Sequence, residues 1–438
     1  MSQSSASWRG AQDAPQIDRT LLSAADEGLA TYGAAFLAGP YEVGKSDLAR
    51  EIARRFGPKA LMLDGSDARD RQRILGDEDI LRRHDGGLVV IDQLQDCPGA
   101  ADIVRQQLDK ARLAGTAPGR FLVLGSQSTE AQMIVATRIG TQMLRLDLAP
   151  IGLSELQTPG LSSGDARTMT LDELASTETI ARPNMAIDLE TLWMRGGFPR
   201  SLFATDDAAS FAWRGAYIDH LTSKGYRHIS PLVSASTFRD LLGRLAAGQG
   251  ESFEDRSRGG LQGCIDHLVD LGLVRQLQPW SVNVAKRYEK GAKVFLRDSG
   301  LLHTLLNRRS LPDLQQNGYQ LGHSWEGFCI ENLVTAAPRA RPFYYRDADK
   351  NEIDLVLDYG EERRLAIEIK SPAAKMGDGF DAAARAIDPI GQYVVRRVEE
   401  SYTDANGRRI MTLQDMIGIV RDTATSSIRQ KGAPHSVS

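Results

Sequence analysis

The chain has 438 residues, 42% hydrophobic and 25% charged, so about two to four globular domains are expected. Its formal net charge of −4 gives no general electrostatic attraction to nucleic acid, and a basic patch would have to be local. Cys97, Cys264 and Cys329 are too few and scattered for a disulfide framework or a cysteine-rich zinc site; with no apolar run of membrane-spanning length and a polar Met1–Gln16, the expectation is a cytoplasmic protein without a membrane partner.

Residues 1–17 read as a flexible lead-in, and Ile17–Tyr32 has helical spacing of Leu21, Leu22, Ala25 and Leu29. The apolar run Ala34–Ala38 then enters Gly39-Pro40-Tyr-Glu-Val-Gly44-Lys45-Ser46 and continues into the amphipathic Asp47–Phe56. Strand, glycine-rich loop and helix in that order make a P-loop. Glycines at 39 and 44 let successive backbone N–H groups turn inward, and the helix adds its positive end. Lys45 then reaches the terminal phosphates of ATP, and Ser46 helps to hold Mg²⁺.

Ala60–Asp64 reads as a second buried strand and Gly87–Asp92 as a third. An apolar run ending in Asp is the Walker B pattern, with Asp92 holding the Mg²⁺ water shell at the carboxyl edge of a parallel sheet. A helix at Ala101–Leu113 and a strand at Arg120–Ser126 continue the alternation, which argues a parallel α/β core.

Added to these motifs, Thr137-Arg138, Pro150-Ile-Gly-Leu-Ser-Glu155 and Trp193-Met-Arg-Gly-Gly-Phe-Pro199 make residues 20–375 resemble the prokaryotic AAA-type ATPases that carry a C-terminal domain of unknown function. The resemblance implies that Ser126 is the sensor near the γ-phosphate and that Arg138 is supplied across a subunit interface in a homo-oligomer. It also implies a Glu after the Walker B Asp, where this chain has Gln93. Gln can hydrogen-bond a water but cannot take its proton, so slow hydrolysis is expected unless another carboxylate substitutes. Asp96 is the nearest candidate, although Asp96-Cys97-Pro98 also reads as a helix N-cap.

A polar connection at 156–180 leads to helices at Leu189–Gly196 and Ala208–Leu221, read as a helical lid. Helices at Thr237–Ala247 and Leu261–Leu273, followed by two apolar segments, predict a winged helix, as the resemblance also implies. Leu261–Leu271 carries Asp266, His267 and Asp270 but no Arg or Lys, which favours packing over a phosphate-facing role. Arg287, Lys290 and Lys293 of the wing keep DNA or RNA open as a partner.

Further on, Glu352–Asp358 and Leu365–Lys370 alternate about a turn centred near Glu361, a β-hairpin with Asp354 opposite Glu368 and Glu352 opposite Lys370. Facing carboxylates repel unless a cation lies between them, so this spacing favours a hard divalent metal on oxygen ligands. Asp354…Glu368-x-Lys370, with Glu326 on a preceding helix, resembles the PD-(D/E)xK nuclease superfamily. That resemblance implies a metal site of Glu326, Asp354 and Glu368 with Lys370 as its catalytic cation. The alternative reading of the same residues is a solvated hairpin face with a Glu352–Lys370 ion pair.

The expected domains are a lead-in to 17, an ATPase core at 18–156, a lid and connection at 157–230, a winged helix at 231–320, a nuclease-like α/β domain at 321–400, and a C-terminal helix with a flexible tail at 401–438. The expected function is ATP binding with weak or regulated hydrolysis, coupled to a domain that binds or cleaves nucleic acid with Mg²⁺. The alternative is a nucleotide-binding scaffold or regulator whose nuclease-like domain is inactive. Ordinary ATP-driven remodelling is a third possibility.

Overall fold

The computed structural model describes residues 19–76, 87–115, 120–125, 134–156, 187–225, 233–252, 261–281, 291–371 and 379–431. Expectations for the lead-in, Ser126, the 157–180 connection, Arg287 and Lys290 lie outside these residues.

In the N-terminal part, helix α1 (Leu21–Tyr32) leads into β1 (Ala34–Ala38), α2 (Lys45–Phe56), β2 (Ala60–Asp64) and α3 (Ala68–Gly76). They are followed by β3 (Leu88–Asp92), α4 (Gly99–Ala114), β4 (Arg120–Leu124) and β5 (Leu144–Asp147). Among the described residues these five strands form one sheet in the order β2-β3-β4-β1-β5, every neighbouring pair parallel. β1 and β3 are buried along their whole length, because a parallel sheet is covered on both faces. Ala35 and Leu37 pack on the side of α1 and α2, while Ala34, Phe36 and Ala38 pack on the side of α3 and α4. That period of two is the physical basis of a doubly wound core.

The chain then forms a single turn, α5 (Leu153–Leu156), and the helices α6 (Leu189–Arg195), α7 (Pro199–Leu202), α8 (Asp207–His220), α9 (Ala235–Ala247) and α10 (Leu261–Asp270). Strands β6 (Val274–Pro279) and β7 (Lys293–Leu296) pair antiparallel, giving the expected succession of helices and hairpin. α10 turns Leu261, Cys264, Ile265 and Leu268 into the core. Its Asp266 accepts hydrogen bonds from Gln262 at 2.9 Å and Gln276 at 3.5 Å.

Next come α11 (Ser299–Leu305), α12 (Leu311–Gln315), α13 (Gly318–Ala336), β8 (Arg341–Arg346), β9 (Glu352–Asp358) and β10 (Arg364–Lys370). The C-terminal part ends with α14 (Gly379–Ile387), β11 (Gly391–Arg396), β12 (Tyr402–Thr403), β13 (Arg409–Met411) and α15 (Leu413–Lys431). The second sheet runs β12-β13-β11-β10-β9-β8-β6-β7 and is mixed. β6 belongs to both regions: Val274–Leu277 pair with β7, and Gln278 and Pro279 pair with Phe343 and Tyr344 of β8.

Three expectations are corrected here. The backbone of α15 is helical to Lys431, which leaves less of 401–438 to the expected flexible tail. β12 and β13 fall in a stretch expected to hold only helix and tail; they are two and three residues long, too short for alternation to show. Asp96 caps nothing: it ends a 3₁₀ turn, and α4 starts after Pro98 with no side-chain cap.

Trp193 of α6 lies edge-on to Trp325 of α13, with ring centroids 5.1 Å apart, and donates from Nε1 to Ser324 Oγ at 3.0 Å. Both rings are fully buried in the core under the second sheet. Trp193→Ala should therefore lower unfolding free energy by about 3–5 kcal/mol, read as an earlier denaturant transition by near-UV circular dichroism.

Candidate functional site

The loop after β1 needs backbone that side chains resist. Gly39 has φ 153°, and a Cβ there would lie 2.5 Å from the Leu148 carbonyl oxygen. Gly44 has φ 101° and Glu42 φ 60°, which curls the loop under the start of α2. Lys45 is buried and donates to the carbonyls of Gly39 at 2.9 Å and Pro40 at 2.8 Å. Burial pulls its ammonium down to about 8, with the Asp92 charge offsetting part of the fall. A buried ammonium on two carbonyls is a site built for an anion.

Beside it, Ser46 Oγ donates to Asp92 Oδ2 at 2.7 Å, and Gln93 N donates to Asp92 Oδ1 at 2.8 Å. Burial raises the Asp92 carboxyl against the lowering effect of those bonds, and the neighbouring Asp64 raises it further. Ser46 and Asp92 thus bring two oxygen donors together, which fits a hard cation next to a phosphate. Gln93 is in the left-handed region, φ 53° and ψ 51°, and its Oε1 accepts from Gln95 Nε2 at 2.5 Å.

A second layer supports this loop from residues that sequence reading missed. Buried Arg19 donates from Nε to Glu155 Oε1 at 3.0 Å, from one terminal nitrogen to the Val43 carbonyl at 3.3 Å, and from the other to the Ala149 carbonyl. Glu155 also accepts from Thr20 N and Gly152 N. The Pro150–Glu155 motif is therefore the far anchor of an arginine fork under the P-loop. Nothing local marks Arg19, because its partner is 136 residues away.

The Gly-Gly-Phe-Pro motif docks on the same segment. Ile151 N donates to the Gly197 carbonyl at 2.8 Å, and Gly197 N donates to buried Asp298 at 2.7 Å. A Cβ at Gly197 would lie 2.2 Å from the Ile151 carbonyl oxygen. Phe198 packs against both Trp213 and Tyr217, next to Pro199, which approaches Gly44, and Arg200, which pairs with Glu42 of the loop at 3.4 Å. Arg138 pairs with Asp102 of α4 in its own chain, on a partly exposed surface.

Residues 31–157 match the AAA domain family. The N-terminal module is an AAA-type P-loop ATPase-like domain. Residues 186–311 and 321–416 match two further families, each described as a domain of unknown function. The chain is also similar to two mycobacterial proteins, Uncharacterized protein Rv2008c of Mycobacterium tuberculosis and Uncharacterized protein Mb2031c of Mycobacterium bovis. Each is 28% identical over 342 residues, covering 76% of this chain and 69% of the relative. Among solved structures, the Walker-type ATPase PABY2304 of Pyrococcus abyssi aligns at 13% identity over 66% of this chain and 96% of that one, with a TM-score of 0.42. The Aeropyrum pernix ORC1 protein in complex with DNA aligns at 15% identity over 67% and 92%, with a TM-score of 0.28.

The second cluster lies where α13, β7, β9 and β10 meet. The hairpin register is as expected: Arg364 pairs with Asp358 and Ile367 with Leu355, which carries Asp354 across from Glu368. Asp354 and Glu368 are buried, so the solvated-face reading fails. The Glu352–Lys370 pair is also corrected. Glu352 bonds Lys293 at 2.5 Å, while Lys370 pairs with Glu368 and lies 3.8 Å from Asp354. Lys293, expected on a wing facing phosphates, is instead buried between Glu352 and Glu326, the latter at 3.2 Å.

Burial raises the Asp354 carboxyl, with Glu326 adding to the rise, and burial together with Asp354 pushes Glu368 up to about 8. For Glu326, burial is outweighed by Lys293 and His323, which hold it below the usual range. Of the three carboxylates expected to share a metal, Glu326 is in an ion pair with Lys293 at 3.2 Å. Among the described residues no group of three or more His, Cys, Asp or Glu side chains is arranged to hold a metal ion. Glu368 Oε2 is buried and has no hydrogen-bond partner among the described residues.

Near this cluster Glu331 of α13 bonds Arg275 of β6 and Arg297, each from Nε at 2.8 Å. Burial raises its carboxyl, but the two guanidinium groups outweigh burial and hold it at about 2, against 4.5 ordinarily. The folded value is depressed, so the stabilisation is full above about pH 4.5 and is lost as the pH falls towards 2. A thermal-melt series over that window should show a fall in stability that Glu331→Gln removes.

Proposed function

We propose that the N-terminal module binds ATP with Mg²⁺ and uses it chiefly as a conformational signal, hydrolysing it slowly. The observation that carries this reading is buried Lys45, held by two loop carbonyls at the head of α2, where among the described residues Asp92 is the one charge that acts on it. A triphosphate supplies the missing negative charge, and Lys45 exchanges carbonyl oxygens for phosphate oxygens. Ser46 and Asp92 are the residues that would hold Mg²⁺, whose contribution when bound is to neutralise charge on the β- and γ-phosphates. Gln93 lacks a proton-accepting group, which supports slow turnover.

The route outward is Pro199 and Arg200. They rest against Gly44 and Glu42 while their neighbours Gly197 and Phe198 sit in the middle region. The Arg200–Glu42 pair is long at 3.4 Å and its arginine is exposed, so it costs little to break, and a change in the loop is free to be passed on. If Arg138 serves a neighbouring subunit in a homo-oligomer, it has to leave Asp102, another exposed pair of small worth. Lys45→Ala should abolish binding of a fluorescent ATP analogue, and Arg200→Ala should leave that binding detectable while weakening nucleotide-dependent protection of residues 187–225 from hydrogen exchange. Binding by Lys45→Ala equal to that of the parent would sink the P-loop assignment.

A second reading, metal-dependent binding or cleavage of nucleic acid at Asp354, Glu368 and Lys370, is favoured by one observation, the unpartnered Glu368 Oε2. Against it stand the lysines that already balance the cluster. If it holds, cleavage of single- or double-stranded DNA or RNA with Mn²⁺ is present in the parent and lost in Asp354→Ala. Equal absence of cleavage in both leaves the scaffold or regulator reading.

A further inference from the structure

The ATP-binding reading leaves one gap, the carboxylate missing at position 93. Gln93 does not merely lack an acidic group; it sits in a left-handed turn with its amide oxygen bonded to Gln95. Asp96, the other acid nearby in sequence, is exposed at the end of the 3₁₀ turn beyond the strand. Yet the sheet brings a second carboxylate to the end of the strand that carries Asp92. β2 and β3 are parallel and in register, with Ala60 opposite Leu88 and Asp64 opposite Asp92.

Register partners on adjacent parallel strands are about 4.8 Å apart and point to the same face of the sheet. Asp92 uses that face to meet Ser46. The two strand ends are fastened together: Gly65 N donates to the Asp92 carbonyl at 2.9 Å, and a Cβ at Gly65 would lie 2.5 Å from the Gln93 carbonyl oxygen. Only a residue without a side chain allows this approach, so Asp64 is held beside Asp92. Its Oδ1 accepts from Ser66 N at 2.8 Å and from Ser66 Oγ at 2.7 Å, which fixes the side chain in a local turn at the strand end.

We propose that Asp64 is the carboxylate that orients the attacking water at the P-loop site, taking the role that Gln93 cannot fill. The proposal rests on the ATP reading above. In the step it assists, the water oxygen bonds to the γ-phosphorus as the bond from that phosphorus to the β,γ-bridging oxygen breaks. ADP leaves with the electron pair of that bond. One water proton passes to the Asp64 carboxylate and then to solvent, and the other stays on inorganic phosphate.

The test uses the full chain, a fluorescent ATP analogue for binding and phosphate release for turnover. Asp64→Asn should lower kcat by at least about tenfold while KM and analogue affinity stay within about twofold. Asp64→Glu should keep part of the rate, and Gln93→Glu should raise kcat more in the Asp64→Asn background than in the parent, because the two carboxylates would do the same work. An unchanged kcat in Asp64→Asn overturns the proposal and leaves ATP binding intact, as does a parent that binds the analogue but releases no phosphate. Loss of analogue binding or of the native melting transition in both Asp64 variants makes Asp64 structural and overturns it too. A parent that fails to bind the analogue overturns the ATP reading itself.

Discussion

The arginine fork of Arg19 is the constraint on which the P-loop and its surroundings depend. One buried guanidinium holds the Val43 carbonyl of the phosphate loop, the Ala149 carbonyl after β5 and the Glu155 carboxylate. Each contact joins a different part of the chain, so the loop cannot shift without disturbing the segment on which Gly197 docks. The planar geometry suits this task, since a guanidinium presents several donors in a fixed fork where an ammonium is a point charge. Removing either charged partner would leave the other buried and unpaired, at a cost of about 3–5 kcal/mol. The site is therefore built from two motifs far apart in sequence, and neither carries its meaning alone.

The ATPase core was legible in the sequence because its signals are local. Gly39, Gly44, Lys45 and Ser46 lie within eight residues, and β3 is an uninterrupted apolar run ending in Asp92. The hairpin register was legible for the same reason, since a short turn near Glu361 fixes which residues face each other. What could not be read was which distant charge meets which. Lys293 looked like a solvated wing residue until the fold placed it between Glu326 and Glu352. Asp64 ended an apolar run no differently from any strand terminus, and only the parallel register with β3 gives it a partner.

Charge in this molecule is thus used in two contrasting ways. At the P-loop a cation is buried without a full counter-charge, which leaves the site open to an anion. At the second cluster every buried acid has a basic neighbour: Lys293 for Glu326, Lys370 for Glu368 and Asp354, and Arg275 with Arg297 for Glu331. The first arrangement stores an affinity; the second fastens α13, β6, β7 and the hairpin to one another. Buried pairs of this sort add little net stability over apolar packing, but they penalise any other arrangement of the same elements.

The double membership of β6 has a consequence for the protein's parts. Its first four residues are zipped to β7 and its last two to β8, so the hairpin of the middle region and the C-terminal sheet share one hydrogen-bonded ladder. A family boundary falls between residues 311 and 321, yet the backbone bonds ignore it. A fragment beginning at residue 321 would lose the strand beside β8 and present that edge bare, an invitation to pair with another chain. The two regions are thus tied through backbone hydrogen bonds of one shared strand, and separating them breaks that strand's pairing.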